Sequence, residues 1–186
     1  LGIGDMLDVV TGYFEEGQGE EEEDNKTRVA IVGKPNVGKS SLINRLIGEN
    51  RLIVSDIAGT TRDAVDTLVK HNGKEYVLID TAGLRRKNKI KEELERYMIV
   101  RTVSAVERAD IVILVIDAVE GVTEQDAKIA GIAHERGKAV IIAVNKWDAV
   151  EKNNKTVNEY TDKVRNILSF MPYAEITFIS ALTGQI

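Results

Sequence analysis

The sequence predicts an α/β fold: a doubly wound, mostly parallel six-stranded sheet with one antiparallel hairpin. Three observations predict it. Short apolar runs of strand length alternate with longer stretches of helical spacing. Three of those runs (IVILVID, AVIIAVN and EITFIS) are nearly continuously apolar, as strands covered by helices on both faces must be. One Asn-Gly pair, Asn72-Gly73, joins two β-rich runs through a tight turn.

The elements follow in order. Residues 1–10 (LGIGDMLDVV) carry Ile3, Met6, Leu7 and Val10 at helical spacing, which predicts a short amphipathic helix within a tail of residues 1–14. Residues 15–25 (EEGQGEEEEDN) contain no apolar side chain and repel one another, the pattern of a solvated acidic linker. Residues 28–32 (RVAIV) form a strand that ends at a glycine loop, and SSLINRLIG continues from the loop as a helix that Gly48 can close. Residues 64–70 and 75–80 pair as the antiparallel hairpin. A charged helical stretch over about 91–108 precedes IVILVID. A helix over about 123–136, with Thr123 and Asp126 spaced as a capping box, precedes AVIIAVN. A third, over about 156–170, precedes EITFIS.

Composition narrows the function. The 186 residues suffice for one domain with a core and a short appendage. Cysteine is absent, which excludes disulfides and thiolate metal sites. The longest apolar run, residues 111–116, falls far short of the roughly 20 residues of a membrane span. A soluble cytoplasmic protein with no membrane partner is expected. The net charge of −5 is unevenly spread: residues 1–24 hold nine acids and no Lys or Arg, leaving 21 acids against 25 bases and about +4 for the remainder. A mildly basic body of that kind suits a polyanion as well as an ordinary surface.

The loop after the first strand reads Gly33, Lys34, Pro35, Asn36, Val37, Gly38, Lys39, Ser40, followed by Ser41. A strand before and a helix after is the setting a phosphate-binding loop requires. Its two glycines let backbone N–H groups turn inward around a β-phosphate, and the helix adds its positive dipole end. Lys39 is then expected to reach the β- and γ-phosphates, and the Ser40 hydroxyl to ligate Mg²⁺. Asp80, Thr81, Ala82 and Gly83 stand at the end of YVLID, where the Asp80 carboxylate can hold Mg²⁺ through a water and the Gly83 N–H can meet a γ-phosphate. The segment from Leu84 onward can then respond to whether that phosphate is present.

Asn145, Lys146, Trp147 and Asp148 follow the strand AVIIAV. A carboxylate at Asp148 accepts two hydrogen bonds from the N1–H and 2-amino groups of guanine, a pattern adenine does not offer. Asn145 and the stem of Lys146 shape the rest of the base pocket, and Trp147 is read as packing. Ser180, Ala181 and Leu182 follow EITFIS and bring a backbone N–H toward guanine O6. Between the first helix and the hairpin lies SDIAGTTRD, residues 55–63, in which Thr60 or Thr61 can place a hydroxyl on Mg²⁺; spacing alone does not choose between them.

Taken in order, GKPNVGKS, the Thr60-Thr61 pair, DTAG, NKWD and SAL resemble TRAFAC-class small G domains of the P-loop NTPase fold. AGTTRD, DTAGLRRK and GVTEQD are more specifically similar to the second G domain of the Der (EngA) family, Era-like bacterial GTPases with two tandem G domains and a C-terminal KH-like domain. The resemblance covers about residues 26–186. It implies GTP and GDP as ligands, hydrolysis of GTP as a molecular switch, and a role in assembly of the large ribosomal subunit with its RNA. It assigns Thr61 to Mg²⁺. It also implies that residues 1–14 end a preceding G domain and that the G domain of 26–186 lacks its last helix, whose slot the tail helix can fill.

The position after DTAG is Leu84, where many small G proteins carry a water-orienting glutamine. Arg62, Arg85 and Arg86 lie in segments better suited to solvent or RNA than to catalysis. G domains with this Asn36 and a hydrophobic residue after DTAG use K⁺, so the resemblance gives Asn36 a K⁺ beside the β- and γ-phosphates, with further oxygens from the backbone of residues 55–57. Lys39, Asn36, Thr61 and Gly83 are thus the expected catalytic set. The rival reading is a binding module that signals its nucleotide state and hydrolyses negligibly.

Overall fold

A computed structural model describes residues 26–48, 53–58, 65–81 and 94–185, with the side chains of 53–58, 65 and 94–97 left aside. The strands are β1 (Thr27–Val32), β2 (Ile53–Ala58), β3 (Val65–His71), β4 (Lys74–Leu78), β5 (Ile111–Asp117), β6 (Ala139–Asn145) and β7 (Glu175–Phe178). The helices are α1 (Lys39–Gly48), α2 (Leu94–Arg108), α3 (Glu124–Glu135) and α4 (Thr156–Ile167), with a 3₁₀ turn at Trp147–Ala149.

The strands form one sheet in the order β2-β3-β4-β1-β5-β6-β7. The predicted class holds, α/β and mostly parallel, but the sheet has seven strands where the sequence predicts six. The added strand is β2, which pairs antiparallel with β3 along its whole length, from Ile53 opposite Lys70 to Ala58 opposite Val65. The β3–β4 hairpin turns at Asn72 and Gly73, whose φ values of 48° and 78° are the left-handed pair this turn needs. The other four pairings, β4–β1, β1–β5, β5–β6 and β6–β7, are all parallel.

Alternation along the central strands explains why they read as unbroken apolar runs. Val29, Ile31, Ile111, Ile113 and Val115 face α1 with Leu42, Ile43 and Leu46. Ala30, Val32, Val112, Leu114 and Ile116 face the other layer, built from α2, α3 and α4 through Val106, Ile129, Ala133 and Val164. Every residue of β5 is buried. With both faces covered, successive side chains all enter a core although they point in opposite directions. The Thr123–Asp126 capping box opens α3 as predicted. Among the described residues, no helix is long and apolar enough to cross a membrane. The tail helix, the acidic linker and the proposed docking of one into the slot of a last helix fall on residues 1–25, outside the described residues.

Candidate functional site

Because β4, β1, β5, β6 and β7 run parallel, their carboxyl ends lie along one edge of the sheet, and the loops that leave them hold most of the predicted residues. In an open α/β sheet this edge is where ligands bind. The loop after β1 turns through three left-handed residues: Gly33 at φ 147°, Asn36 at 64° and Gly38 at 100°. A methyl group on Gly33 would come 2.4 Å from the Val115 carbonyl oxygen, and one on Gly38 would come 2.2 Å from the Asn145 amide nitrogen. Both contacts are too close for a side chain, so the loop's glycines are needed for packing as well as for conformation. Pro35 and Asn36 are exposed at the crest, Val37 is buried beneath it, and Ser40 and Ser41 are exposed in the first turn of α1.

Lys39 folds back over this loop. Its Nζ donates to the carbonyls of Gly33, at 2.8 Å, and of Lys34. Burial lowers its pKa from the usual 10.5 to about 8, against a smaller opposing pull from Asp126. A charge held at that discount is poised to gain from an anion.

Asn145 is a brace between loops. Its amide nitrogen donates to the Val37 carbonyl at 2.8 Å and its oxygen accepts from the Ala181 amide at 2.9 Å, so one buried side chain ties the phosphate loop, the end of β6 and the loop after β7 together. Lys146 adopts a left-handed backbone with φ 64°, and its Nζ lies 2.5 Å from Asp117 at the end of β5. Burial opposes the Asp117 charge, but Lys146 and the amides of Val119 and Glu120 outweigh it and hold that carboxyl below the usual range. Trp147 packs against Phe178 at a ring distance of 4.3 Å and against Tyr160 at 5.5 Å. That cluster fixes the 3₁₀ turn, on which Asp148 is exposed. Ser180 anchors the last loop by accepting from the amides of Thr183 and Gly184, and Leu182 stands 81% exposed at its tip.

Asp80 lies two residues past β4 with φ 54°, its amide donating to Asp66 Oδ1 at 2.9 Å and its carboxylate 3.1 Å from Arg101 of α2. Thr81 is buried, with its hydroxyl 2.8 Å from that of Thr67. Among the described residues no group of three His, Cys, Asp or Glu side chains could hold a metal. The Ser40 hydroxyl and Asp80 carboxylate are hard oxygen donors of the kind Mg²⁺ takes beside phosphate and water, so they fit that ion.

Several expectations change. Lys34, predicted to bind nucleotide, is buried and directs its Nζ to Glu120 at 2.9 Å and Asp126 at 3.4 Å, which leaves only its backbone to the loop. Residues 55–57, predicted to share a cation with Asn36, lie in β2, three strand steps or about 14 Å from β1. Asn36 has a left-handed backbone, itself a reason for asparagine at that position. The Ala181 amide, a candidate for guanine O6, is engaged by Asn145. Thr60, Thr61, Arg62, Ala82, Gly83, Leu84, Arg85 and Arg86 lie outside the described residues. Asp117 and Arg101 escape the sequence reading; for Asp117 the signal existed, a carboxylate closing an apolar strand just as Asp80 does.

Residues 28–146 match the family described as 50S ribosome-binding GTPase. Curated relatives named GTPase Der include one from Lachnoclostridium phytofermentans, 73% identical, and one from Agathobacter rectalis, 72% identical. Each alignment takes in 100% of this chain and 42% of the relative, so the chain spans less than half their length. Among solved structures, Era in complex with MgGDPNP and nucleotides 1506–1542 of 16S ribosomal RNA superposes with a TM-score of 0.64 at 33% identity, covering 87% of this chain and 53% of Era. An Aquifex aeolicus Era variant bound to GDP·AlF₄⁻ gives 0.64 at 34% identity, with the same coverage.

Proposed function

The chain belongs to the family of 50S ribosome-binding GTPases, and on that premise we propose that it binds GTP with Mg²⁺ and hydrolyses it to GDP and phosphate as a molecular switch. The observation that carries this reading is the common edge. The phosphate loop with Lys39, the Asp80 carboxylate and the Asp148 turn leave three parallel strands of one sheet, and Asn145 ties the first of them to the third.

In this reading the backbone N–H groups of residues 33–40, Pro35 excepted, surround the β-phosphate. Lys39 exchanges the carbonyls of Gly33 and Lys34 for phosphate oxygens, and Asp148 accepts from the guanine N1–H and 2-amino groups. With the Ala181 amide held by Asn145, the next amide in the loop, that of Leu182, is the donor for O6. Ser40 and Asp80, with Thr61, hold Mg²⁺, which neutralises charge on the phosphates when bound. The Gly83 N–H meets the γ-phosphate and marks its presence for the segment that follows.

Leu84 offers no polar group to orient water. We assign charge stabilisation in its place to K⁺, which the Asn36 carbonyl, the backbone oxygens of residues 55–57 and the nucleotide's phosphate oxygens would hold where an arginine finger would otherwise act. Asn36→Gly tests this cleanly, since glycine keeps the left-handed backbone that alanine would strain. Single-turnover GTP hydrolysis is expected to be about tenfold faster in K⁺ than in Na⁺, a barrier difference of about 1.4 kcal/mol. The Gly variant should lose that difference while its GDP affinity stays within about threefold of the parent. Equal rates in the two salts would remove K⁺ from the account, and no hydrolysis in either would favour the binding-module reading.

The family, described as 50S ribosome-binding, supports a further step, action in assembly of the large ribosomal subunit in the cytoplasm, in a longer protein with a preceding G domain and a KH-like domain. Co-sedimentation of the chain with large subunits is expected to be stronger with a non-hydrolysable GTP analogue than with GDP. Equal recovery with the two nucleotides would contradict a switch acting there.

A further inference from the structure

Two arginines of α2, Arg101 and Arg108, stand two helical turns apart on one face and grip the β3–β4 region at two points. Arg108 pairs with Asp66, which is buried one residue into β3 and accepts the Asp80 amide at 2.9 Å. Arg101 pairs with the Asp80 carboxylate itself, at 3.1 Å. The two contacts do different jobs. Through Asp66, Arg108 fixes the backbone of Asp80 in its left-handed turn, while Arg101 occupies the carboxylate.

We infer that Arg101 is a positioning residue that competes with the divalent cation for Asp80, so that loading of Mg²⁺ with the nucleotide releases Arg101 and signals to α2. The inference rests on the proposed function, because it takes Asp80 as the carboxylate that serves Mg²⁺ there. A guanidinium and Mg²⁺ both seek negative oxygen, and neither gains from having the other beside it. The pair is only partly exposed, at 30% for the Arg101 side chain and 20% for Asp80, so solvent does not screen it fully. In the structure the guanidinium holds the carboxylate, and the cation must displace it. By linkage the exchange works both ways: whatever pulls Arg101 away, through α2, strengthens cation binding, and the cation weakens the hold of α2 on the turn after β4. The exchange at Asp80 breaks neither the Thr67–Thr81 contact nor the Asp66–Arg108 pair, so the strand ends need not unfold.

The test is a Mg²⁺ titration of GDP binding, followed by a fluorescent GDP analogue, for the unsubstituted chain, Arg101→Gln and Arg101→Met. Methionine keeps an apolar stem for packing where the glutamine variant fails to fold. The Mg²⁺ midpoint is expected to fall about three- to fivefold in either variant, the range set by an ion pair of this exposure. GDP affinity in EDTA is expected to change less than about twofold, since Arg101 acts here through Asp80, the carboxylate that serves the cation. A purely structural ion pair would lower the thermal midpoint and leave the Mg²⁺ midpoint where it was; that result overturns the inference and leaves the proposed function standing. GDP binding that ignores Mg²⁺ in the unsubstituted chain overturns both.

Discussion

Asp148→Asn is expected to weaken GDP binding by about a hundredfold or more and to raise the affinity for XDP above that for GDP. In the proposed pocket the carboxylate accepts two charge-assisted hydrogen bonds from guanine, each contributing about 1.5–3 kcal/mol. The carboxamide keeps one acceptor and turns a donor toward the 2-amino group, which repels it. Xanthine carries an oxygen at that position and accepts the new donor. The substitution is gentle to the fold, because Asp148 is exposed and its turn is held by Trp147 against Tyr160 and Phe178. Titration of the variant and its parent with GDP, XDP and ADP checks it. A variant that binds GDP as tightly as its parent would mean that the base is recognised elsewhere.

Lys39→Ala is expected to lower affinity for GDP and GTP by at least about a hundredfold, through loss of a partly desolvated charge aimed at the phosphates. A proton measurement separates this from mere damage to the loop. With a pKa of about 8, Lys39 is half neutral at pH 8 in the free chain. A polyphosphate favours the ammonium and raises that pKa, so binding at pH 8 should take up about half a proton, fading toward none by pH 6.5. Calorimetry in buffers of different ionisation enthalpy measures the uptake. Its persistence in the Ala variant would reassign it to another group.

Strand ends were the legible part of this molecule. Apolar runs that stop at glycine or at a carboxylate locate β1, β4 and β5, one that stops at Asn145 locates β6, and the Asn72-Gly73 turn locates the hairpin, because each signal is local in the chain. β2 is different. IVSDIA mixes apolar and polar residues and runs into the breaker-rich GTTRD, and its partner β3 lies beyond that segment, so only pairing along the whole of β3 reveals it as an edge strand.

The site shows the same division. Motif spacing tells where the backbone of Lys34, Asn145 and Ala181 passes, and all three lie at the expected edge. It does not tell whether a side chain or amide there meets the ligand or a neighbouring loop. Lys34 meets Glu120 and Asp126, and Asn145 spends both ends of its amide on Val37 and Ala181. Arg101 lies beyond such reasoning altogether, because one arginine in a charged helix looks like any other until α2 is laid against β4.

The central claim is a guanine-specific, phosphate-binding edge on this sheet, and the affinity of the unsubstituted chain for GDP against ADP in one Mg²⁺ buffer tests it most directly. GDP is expected to bind at least about a hundredfold more tightly, the difference that two bonds to Asp148 supply. Equal affinities, or a preference for ADP, would contradict it.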